Sequence, residues 1–309
     1  MTEPSPTLPA RFFAPRYFAT WLGLGLLRLV LLLPYGGVLA VGRGVGRIAR
    51  RLPLSYARIA RCNIELCLPE LTAEERAALL DRHFESLGIG LFESALTWWA
   101  KDAEISARSE VEGLEHLKAA LARGRGAILL TAHFTTLQIG ARILNNRIAI
   151  GVLYRPTKNE LIAHVSGGSF ARQARKAIRH DDVRAMIAAL RRNEIVWYAA
   201  DQSYRKKGAA LVPFFGRPAA TNVFTPRLAE MTGAPVLYYS TERLPGTRGW
   251  RAVIHPPFAN WPSGDPVADT QEYHAAIEAQ MRRVPDQYWW IHRRFKGLAA
   301  DYPDYYGPR

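Results

Sequence analysis

From Val111 onward the chain alternates short apolar runs with stretches whose apolar residues recur at helical spacing, and nothing else in it constrains the fold as strongly. LEHLKAALARG reads as a helix, GAILLTA as a strand, residues from about Thr136 to Leu144 as a helix and IGVLY as a strand. DVRAMIAALRRN then reads as a helix, IVWYAA as a strand, TPRLAEMTG as a helix, and PVLYYSTE and WRAVIHPP as strands. Strands that alternate with helices pair in parallel with both faces covered. The pattern therefore predicts an α/β fold: a mostly parallel, mixed central sheet flanked by helices. A chain of 309 residues, 49% of them hydrophobic, supplies the core for one large domain plus an extra element, or for two modest domains.

Ahead of this region, Thr72 with Glu75 three residues on has the pattern of a capping box and predicts one or two helices reaching about Ala100. Tyr56 to Cys67 predicts another. Cys62 and Cys67 in CNIELC have neither zinc-type spacing nor a disulfide framework, and read as helix thiols in a reducing compartment. The first ten or so residues and the closing DYPDYYGPR look poorly ordered.

The N-terminal stretch Phe18 to Val45 is nearly all apolar, interrupted only by Arg28 and Arg43. It predicts a membrane-anchoring helix over about 18–45 and divides the chain into an anchor, 1–50, and a cytoplasmic-side domain, 51–309. It is too long for a cleaved signal peptide, and no small-residue cleavage site follows. Arg43, Arg47, Arg50, Arg51, Arg58 and Arg61 fit the positive-inside bias. Arg28, Pro34 and the pair Gly36-Gly37 weaken a straight span, so spanning and interfacial placements both stay open, as does a hydrophobic hairpin buried in the fold.

The formal net charge of +14 draws the surface to anions: nucleic acid, anionic lipid or acidic protein. Dispersed basic residues, no recognition motif and an apolar anchor argue against nucleic acid. In sheets of this kind ligands bind beyond the carboxyl ends of strands, and there the polar residues fall. His133 follows GAILLTA, Arg155 follows IGVLY, and Asp201 follows IVWYAA. Within HFTTLQ, His133 and Gln138 are rotated by about 140° if both are helical. They can meet only with His133 in the loop and Gln138 in the first helical turn. That helix N-terminus would disfavour a protonated imidazole and keep His133 neutral.

A histidine with an acidic partner five residues on marks the glycerolipid and lipid A acyltransferase superfamily. The chain resembles the late acyltransferases of lipid A biosynthesis in WLGLGLLRLVLLLPY, RCNIELCLPELTAEER, HFESLGIGLFES, HFTTLQIGAR, GVLYRP, VWYAADQSY, VPFFGRPAAT and QYWWIHRRFK. The resemblance covers almost the whole chain and implies a glycerolipid acyltransferase-like fold at the Gram-negative inner membrane, with the catalytic domain facing the cytoplasm. It implies an enzyme that moves an acyl chain, lauroyl by the look of the blocks, from acyl carrier protein to a hydroxyl on the 3-hydroxyacyl chain of a Kdo-bearing lipid A precursor. His133 would be the general base of a ternary complex, with no covalent enzyme intermediate, no metal and no cofactor.

By the same resemblance Gln138 holds the place of the family's acid, which orients the imidazole and offsets its charge. An amide keeps an acceptor but loses the charge, leaving three readings: an inactivating substitution, a natural variant that tolerates the amide, and a non-catalytic relative. The resemblance puts Arg155 in the active site and Asp201 near it, although an N-cap or loop-tying role also suits Asp201. Ser203 and Arg205 depart from the family's second acid and glycine. Arg205, Lys206 and Lys207 are candidates for phosphates or Kdo carboxylates. Phe134 is a candidate substrate contact, one of five aromatics, with Phe92, Trp98, Trp99 and Phe170, available to close an acyl pocket. Arg172, Arg175, Lys176 and Arg179 fall on one side of an expected helix that would suit an acidic carrier protein, and His292, Arg293 and Arg294 read as surface packing near the membrane or as substrate contacts. The competing functions are acyl transfer to another glycerophospholipid or glycolipid, and non-catalytic lipid binding at the membrane.

Overall fold

The structure is a computed structural model and describes residues 8–154, 158–173, 176–299 and 301–307. The helices and strands follow in chain order: α1 (Phe18–Val30), α2 (Tyr35–Arg51), α3 (Ser55–Cys67), α4 (Ala73–Trp99), α5 (Asp102–Ser106), β1 (Ser109–Glu112), α6 (Leu114–Leu121), β2 (Ala127–Thr131), α7 (Leu137–Asn145) and β3 (Gly151–Tyr154). Then come α8 (Glu160–Gln173), β4 (Lys176–Arg179), α9 (Val183–Arg191), β5 (Ile195–Ala199), β6 (Ala209–Phe214), β7 (Arg217–Asn222), α10 (Phe224–Thr232), β8 (Val236–Arg243), β9 (Trp250–Pro257) and α11 (Pro266–Arg283).

Seven strands form the central sheet in the order β1-β9-β8-β2-β5-β3-β4. Only β8 and β9 pair antiparallel, so the sheet is mixed but mostly parallel, as the alternation predicts. Every residue of β2 is buried because both sheet faces are covered. Ile128 and Leu130 point into one core with Phe84, Met186, Leu228, Tyr273 and Ile277. Ala127 and Leu129 point into the other with Leu117, Ile139, Leu144 and Trp250. The hairpin β6–β7 stands apart from the sheet and turns at Phe215 and Gly216, both with positive φ. Two such residues make the turn whose twist matches paired strands.

The N-terminal region corrects the expectation of one apolar helix over 18–45. The chain breaks after Val30 and restarts at Tyr35 behind Pro34. Among the described residues no helix is long and apolar enough to cross a membrane. Gly42 and Gly46 of α2 serve packing: a Cβ on Gly46 would sit 2.0 Å from the Phe84 carbonyl, and one on Gly88 2.1 Å from that of Gly42, so α2 and α4 touch backbone to backbone. Arg47 and Arg50 pair with Glu85 and Asp81 of α4. By contrast α1 keeps Phe18, Leu22, Leu26 and Leu29 exposed, at helical spacing, with Leu32 and Leu33 beyond its end.

Thr72 caps α4 through the reciprocal bonds expected with Glu75, and the helix continues unbroken to Trp99. Two further expectations fail. The segment carrying Arg172, Arg175, Lys176 and Arg179 is not one helix, because α8 ends at Gln173 and residues 176–179 join the sheet edge beside β3, where Ile178 is buried. Within the closing stretch Tyr306 is packed rather than loose: it is buried, its hydroxyl donating to Asn63 Oδ1 and accepting the Phe295 N–H, while residues 308–309 lie outside the described ones.

Candidate active site

Strands β2 and β5 are parallel neighbours with Thr131 opposite Ala199. The Tyr273 hydroxyl of α11 enters where they end, donating to the Thr131 carbonyl and accepting the Ala200 N–H at 3.2 Å. Two residues beyond Thr131 and Ala199 stand His133 and Asp201, and the shared register brings them together. Asp201 Oδ1 accepts from His133 Nδ1 at 2.6 Å, and the His133 backbone N–H reaches both carboxylate oxygens at 3.1 and 3.2 Å. The Tyr288 hydroxyl donates to Oδ2 at 3.1 Å.

This arrangement fixes the imidazole. A carboxylate on Nδ1 requires the proton there, which leaves Nε2 with its lone pair. The Asp201 side chain is 1% exposed and that of His133 27%, so the carboxylate is sealed while the imidazole meets the outside. Burial disfavours the charge of Asp201, but the His133 ring, its two N–H donors and the charge of Arg294 outweigh it and hold the carboxyl at about 2. Burial also pulls the imidazole down, and Asp201's charge and hydrogen bond overcome that, leaving His133 above its ordinary value. The Asp201 carboxylate thus opposes the effect of burial on the histidine.

Gln138 occupies the expected first turn of α7, yet it is exposed and makes no hydrogen bond to His133. The imidazole has one Nδ1, and Asp201 has taken it. Asp201 ties the loop as well, through the backbone bonds just described.

The C-terminal segment braces both loops. The Thr135 N–H donates to the Gln287 carbonyl at 2.8 Å, the Trp289 N–H donates to that of His133 at 2.9 Å, and Phe134 and Tyr288 form a β-bridge. His292 Nε2 accepts the Ser203 N–H at 3.0 Å. From the opposite side Arg243, paired with buried Glu93 at 2.6 Å, donates to Ser86 Oγ at 2.9 Å, which in turn bonds Thr135 Oγ1. Tyr288, Arg243, Glu93 and Ser86 were not legible as site residues; only the blocks QYWWIHRRFK and HFESLGIGLFES hinted that three of them mattered.

The remaining expected residues scatter. Arg155 and Arg175 lie outside the described residues, as do the side chains of Arg172, Lys176 and Phe170. Arg179 is exposed and paired with Asp181 at 3.0 Å. Arg205, Lys206 and Lys207 are exposed in the loop after Asp201. Phe134 is 4% exposed with its ring edge-on to Tyr288, in the core behind the dyad. Of the WWIHRRFK cations, Arg294 is buried, contrary to a surface role. Among the described residues no three His, Cys, Asp or Glu side chains converge as a metal site.

The family model for bacterial lipid A biosynthesis acyltransferases matches residues 7–297. The chain is 36% identical to the lipid A biosynthesis lauroyltransferase of Escherichia coli K12 over 97% of its own length and 99% of that protein's. It is also 36% identical to the palmitoleoyltransferase of the same organism, over 92% of this chain and 93% of the relative. With the myristoyltransferase of that strain the identity is 24%, over 96% and 92%.

Proposed function

Since the chain belongs to the bacterial lipid A biosynthesis acyltransferases and is an acyltransferase enzyme, we propose that it moves a fatty acyl group from acyl carrier protein to a hydroxyl on the 3-hydroxyacyl chain of a Kdo-bearing lipid A precursor, with His133 as base. His133 Nε2 takes the hydroxyl proton while the oxygen attacks the thioester carbonyl. The tetrahedral intermediate collapses, the C–S bond breaks, and the carrier thiolate recovers the proton from the imidazolium. Asp201 holds the ring in the tautomer that leaves Nε2 free and offsets the imidazolium charge.

One observation carries this reading: the 2.6 Å contact between His133 Nδ1 and Asp201. It supports an active enzyme despite Gln138, because the carboxylate that the histidine needs comes from the end of β5. Gln138 is then a tolerated variation. Arg155 comes next in sequence after β3 and is assigned to the reacting carbonyl or an acceptor phosphate. Arg205, Lys206 and Lys207 are assigned to phosphates or Kdo carboxylates at the rim.

Lauroyl remains our reading of the transferred chain. Equal identity to a lauroyl- and a palmitoleoyltransferase supports a preference distinct from the myristoyl enzyme, and pocket depth decides between the two. We place α1 in the plane of the inner membrane's cytoplasmic interface: its exposed Phe18, Leu22, Leu26 and Leu29 suit shallow insertion.

The test is transfer from lauroyl- and palmitoleoyl-carrier protein to the tetra-acylated Kdo-bearing precursor, comparing the chain with His133→Ala, Asp201→Asn and Gln138→Glu. The reading requires product from the chain itself and its loss in the first two variants. A silent chain whose activity returns with Gln138→Glu would overturn the assignment of Asp201.

A further inference from the structure

Arg243, the last residue of β8, sends its guanidinium in two directions from a side chain that is 8% exposed. Nε and Nη2 donate to Glu93 Oε1 and Oε2 at 2.7 and 2.6 Å. Glu93 Oε1 also accepts the Tyr35 hydroxyl and Trp250 Nε1, each at 2.9 Å, so four donors converge on one buried carboxylate that offsets the arginine's charge. Nη1 stands outside that pair. It donates to Ser86 Oγ at 2.9 Å, and Ser86 Oγ shares a 2.9 Å hydrogen bond with Thr135 Oγ1.

The backbone of Arg243 reaches the same threonine by a second route. Its N–H donates to Gln287 Oε1 at 2.7 Å and its carbonyl accepts from Gln287 Nε2 at 3.0 Å, so the side-chain amide pairs with it as a neighbouring strand would. The Gln287 carbonyl in turn accepts the Thr135 N–H at 2.8 Å. Arg243, Gln287, Thr135 and Ser86 therefore close a ring in which the N–H and Oγ1 of Thr135 are both held by groups that Arg243 holds. Ser86, Thr135 and Gln287 are all buried, so water does not compete for these bonds. Thr135 is also pressed on α4, where a Cβ built on Gly90 would stand 2.8 Å from its carbonyl oxygen and 3.1 Å from its own Cβ.

Resting on the general-base reading of His133, we propose that Arg243 is a positioning residue for that base: through Ser86 and Gln287 it clamps Thr135, and Thr135 sets the loop that presents His133 to Asp201. Thr135 is two residues past His133, and the His133 Nδ1 contact with Asp201 is 2.6 Å, a length that tolerates little displacement of the loop. A loop that drifts loosens this contact and lets the imidazole proton move to Nε2, the nitrogen that has to be bare. Gln287 and Tyr288 divide the task between them, since Gln287 holds the loop of the base while the Tyr288 hydroxyl holds Asp201 itself. Glu93 acts one step further out, by offsetting the charge of the arginine behind the loop.

The test reads the imidazole directly. In the full chain in detergent micelles, the ring 15N shifts of His133, assigned with His133→Gln, report which nitrogen carries the proton once the ring is neutral. In wild type the proton should sit on Nδ1. Ser86→Ala and Thr135→Val each cut the clamp while leaving the Arg243–Glu93 pair whole, and each should pass a measurable fraction of the proton to Nε2. Thr135→Ser keeps the hydroxyl and should match wild type, as should Gly88→Ala, which strains the α2 seam without touching the ring of bonds. A proton that stays wholly on Nδ1 in either clamp variant, or that moves as far in Thr135→Ser or Gly88→Ala, overturns the proposal.

In the transfer assay Ser86→Ala and Thr135→Val should each lower kcat by about tenfold with KM little changed, and the double variant should lose no more than either single one, because both cut the same path. Losses that multiply overturn the proposal. Arg243→Lys keeps a charge beside Glu93 but has no second nitrogen for Ser86, so its kcat should fall at least as far as that of Ser86→Ala, and a wild-type kcat overturns the proposal. Should the lysine variant fail to fold by near-UV circular dichroism, Ser86→Ala and Thr135→Val decide. The 15N shifts report the tautomer and need no turnover. A chain whose shifts behave as expected but that transfers no acyl group would refute the proposed function and leave the clamp standing.

Discussion

His133 and Asp201, 68 residues apart in the chain, are held side by side because each lies two residues past a matched pair on adjacent parallel strands. The register of β2 and β5, not the spacing of a linear motif, selects the imidazole's partner. Replacing Asp201 by Asn keeps the shape and removes the charge, with a tautomer cost like that of a triad aspartate. We expect the rate to fall by about 10³ to 10⁴ in the transfer assay, against less than about threefold for Gln138→Glu.

The acid limb of kcat/KM should fall at a pH above the ordinary imidazole value of 6.5, since Asp201 raises His133 and the protonated ring cannot act as base. A limb below 6.5 would contradict the pairing. Stability follows the same charges. The raised His133 contributes stability present below 6.5 and lost as pH rises through its folded value. The depressed Asp201 contributes stability present above 3.8 and lost as pH falls toward 2. The Tm difference between wild type and Asp201→Asn should therefore be largest between those limits, 3.8 and 6.5, by calorimetry across pH.

Removing the Tyr288 hydroxyl leaves Asp201 Oδ2 short of its 3.1 Å donor in a sealed site. A hydrogen bond to a buried carboxylate is worth about 1.5–3 kcal/mol, so Tyr288→Phe should lower kcat by about ten- to a hundredfold with KM little changed. A variant at wild-type kcat would show the hydroxyl to be dispensable.

Gly90 and Gly88 make opposite demands on one helix. A Cβ on Gly90 would stand 2.8 Å from the Thr135 carbonyl, two residues past His133, whereas one on Gly88 would strike the α2 backbone. Alanine gains about 1 kcal/mol of helix propensity at either site. Gly90→Ala should lower kcat with little change in Tm, because the strain falls on the loop that carries His133. Gly88→Ala should lose about 1–3 kcal/mol of stability by denaturant unfolding, because two helix backbones must part.

The interfacial placement of α1 is checked by sedimentation with anionic vesicles. Leu22→Glu with Leu26→Glu puts two charges on its bare apolar side and should release most of the chain from the lipid, with the fold unchanged by circular dichroism. Retention equal to wild type would assign membrane attachment to another surface.

What the sequence by itself determined is local or periodic. The burial of Ile128, Leu129 and Leu130 on two faces, the Thr72 cap and the strand–helix alternation follow from side-chain periodicity and backbone hydrogen bonding, which act over a few residues. They sufficed to place His133, Arg155 and Asp201 at strand ends. Which of those groups meet was decided only by the tertiary structure. Strand order and register made Asp201, not Gln138, the partner of His133. Sheet-edge pairing drew residues 176–179 out of their helical pattern. Close backbone contact turned Gly42 and Gly46 of α2, read as part of a membrane element, into a packing seam against α4. Tyr288 and the burial of Arg294 were equally hidden. The forces that select them, pairing of buried charge and hydrogen bonding between strands and a distant C-terminal segment, depend on separation in space, and a sequence records only separation along the chain.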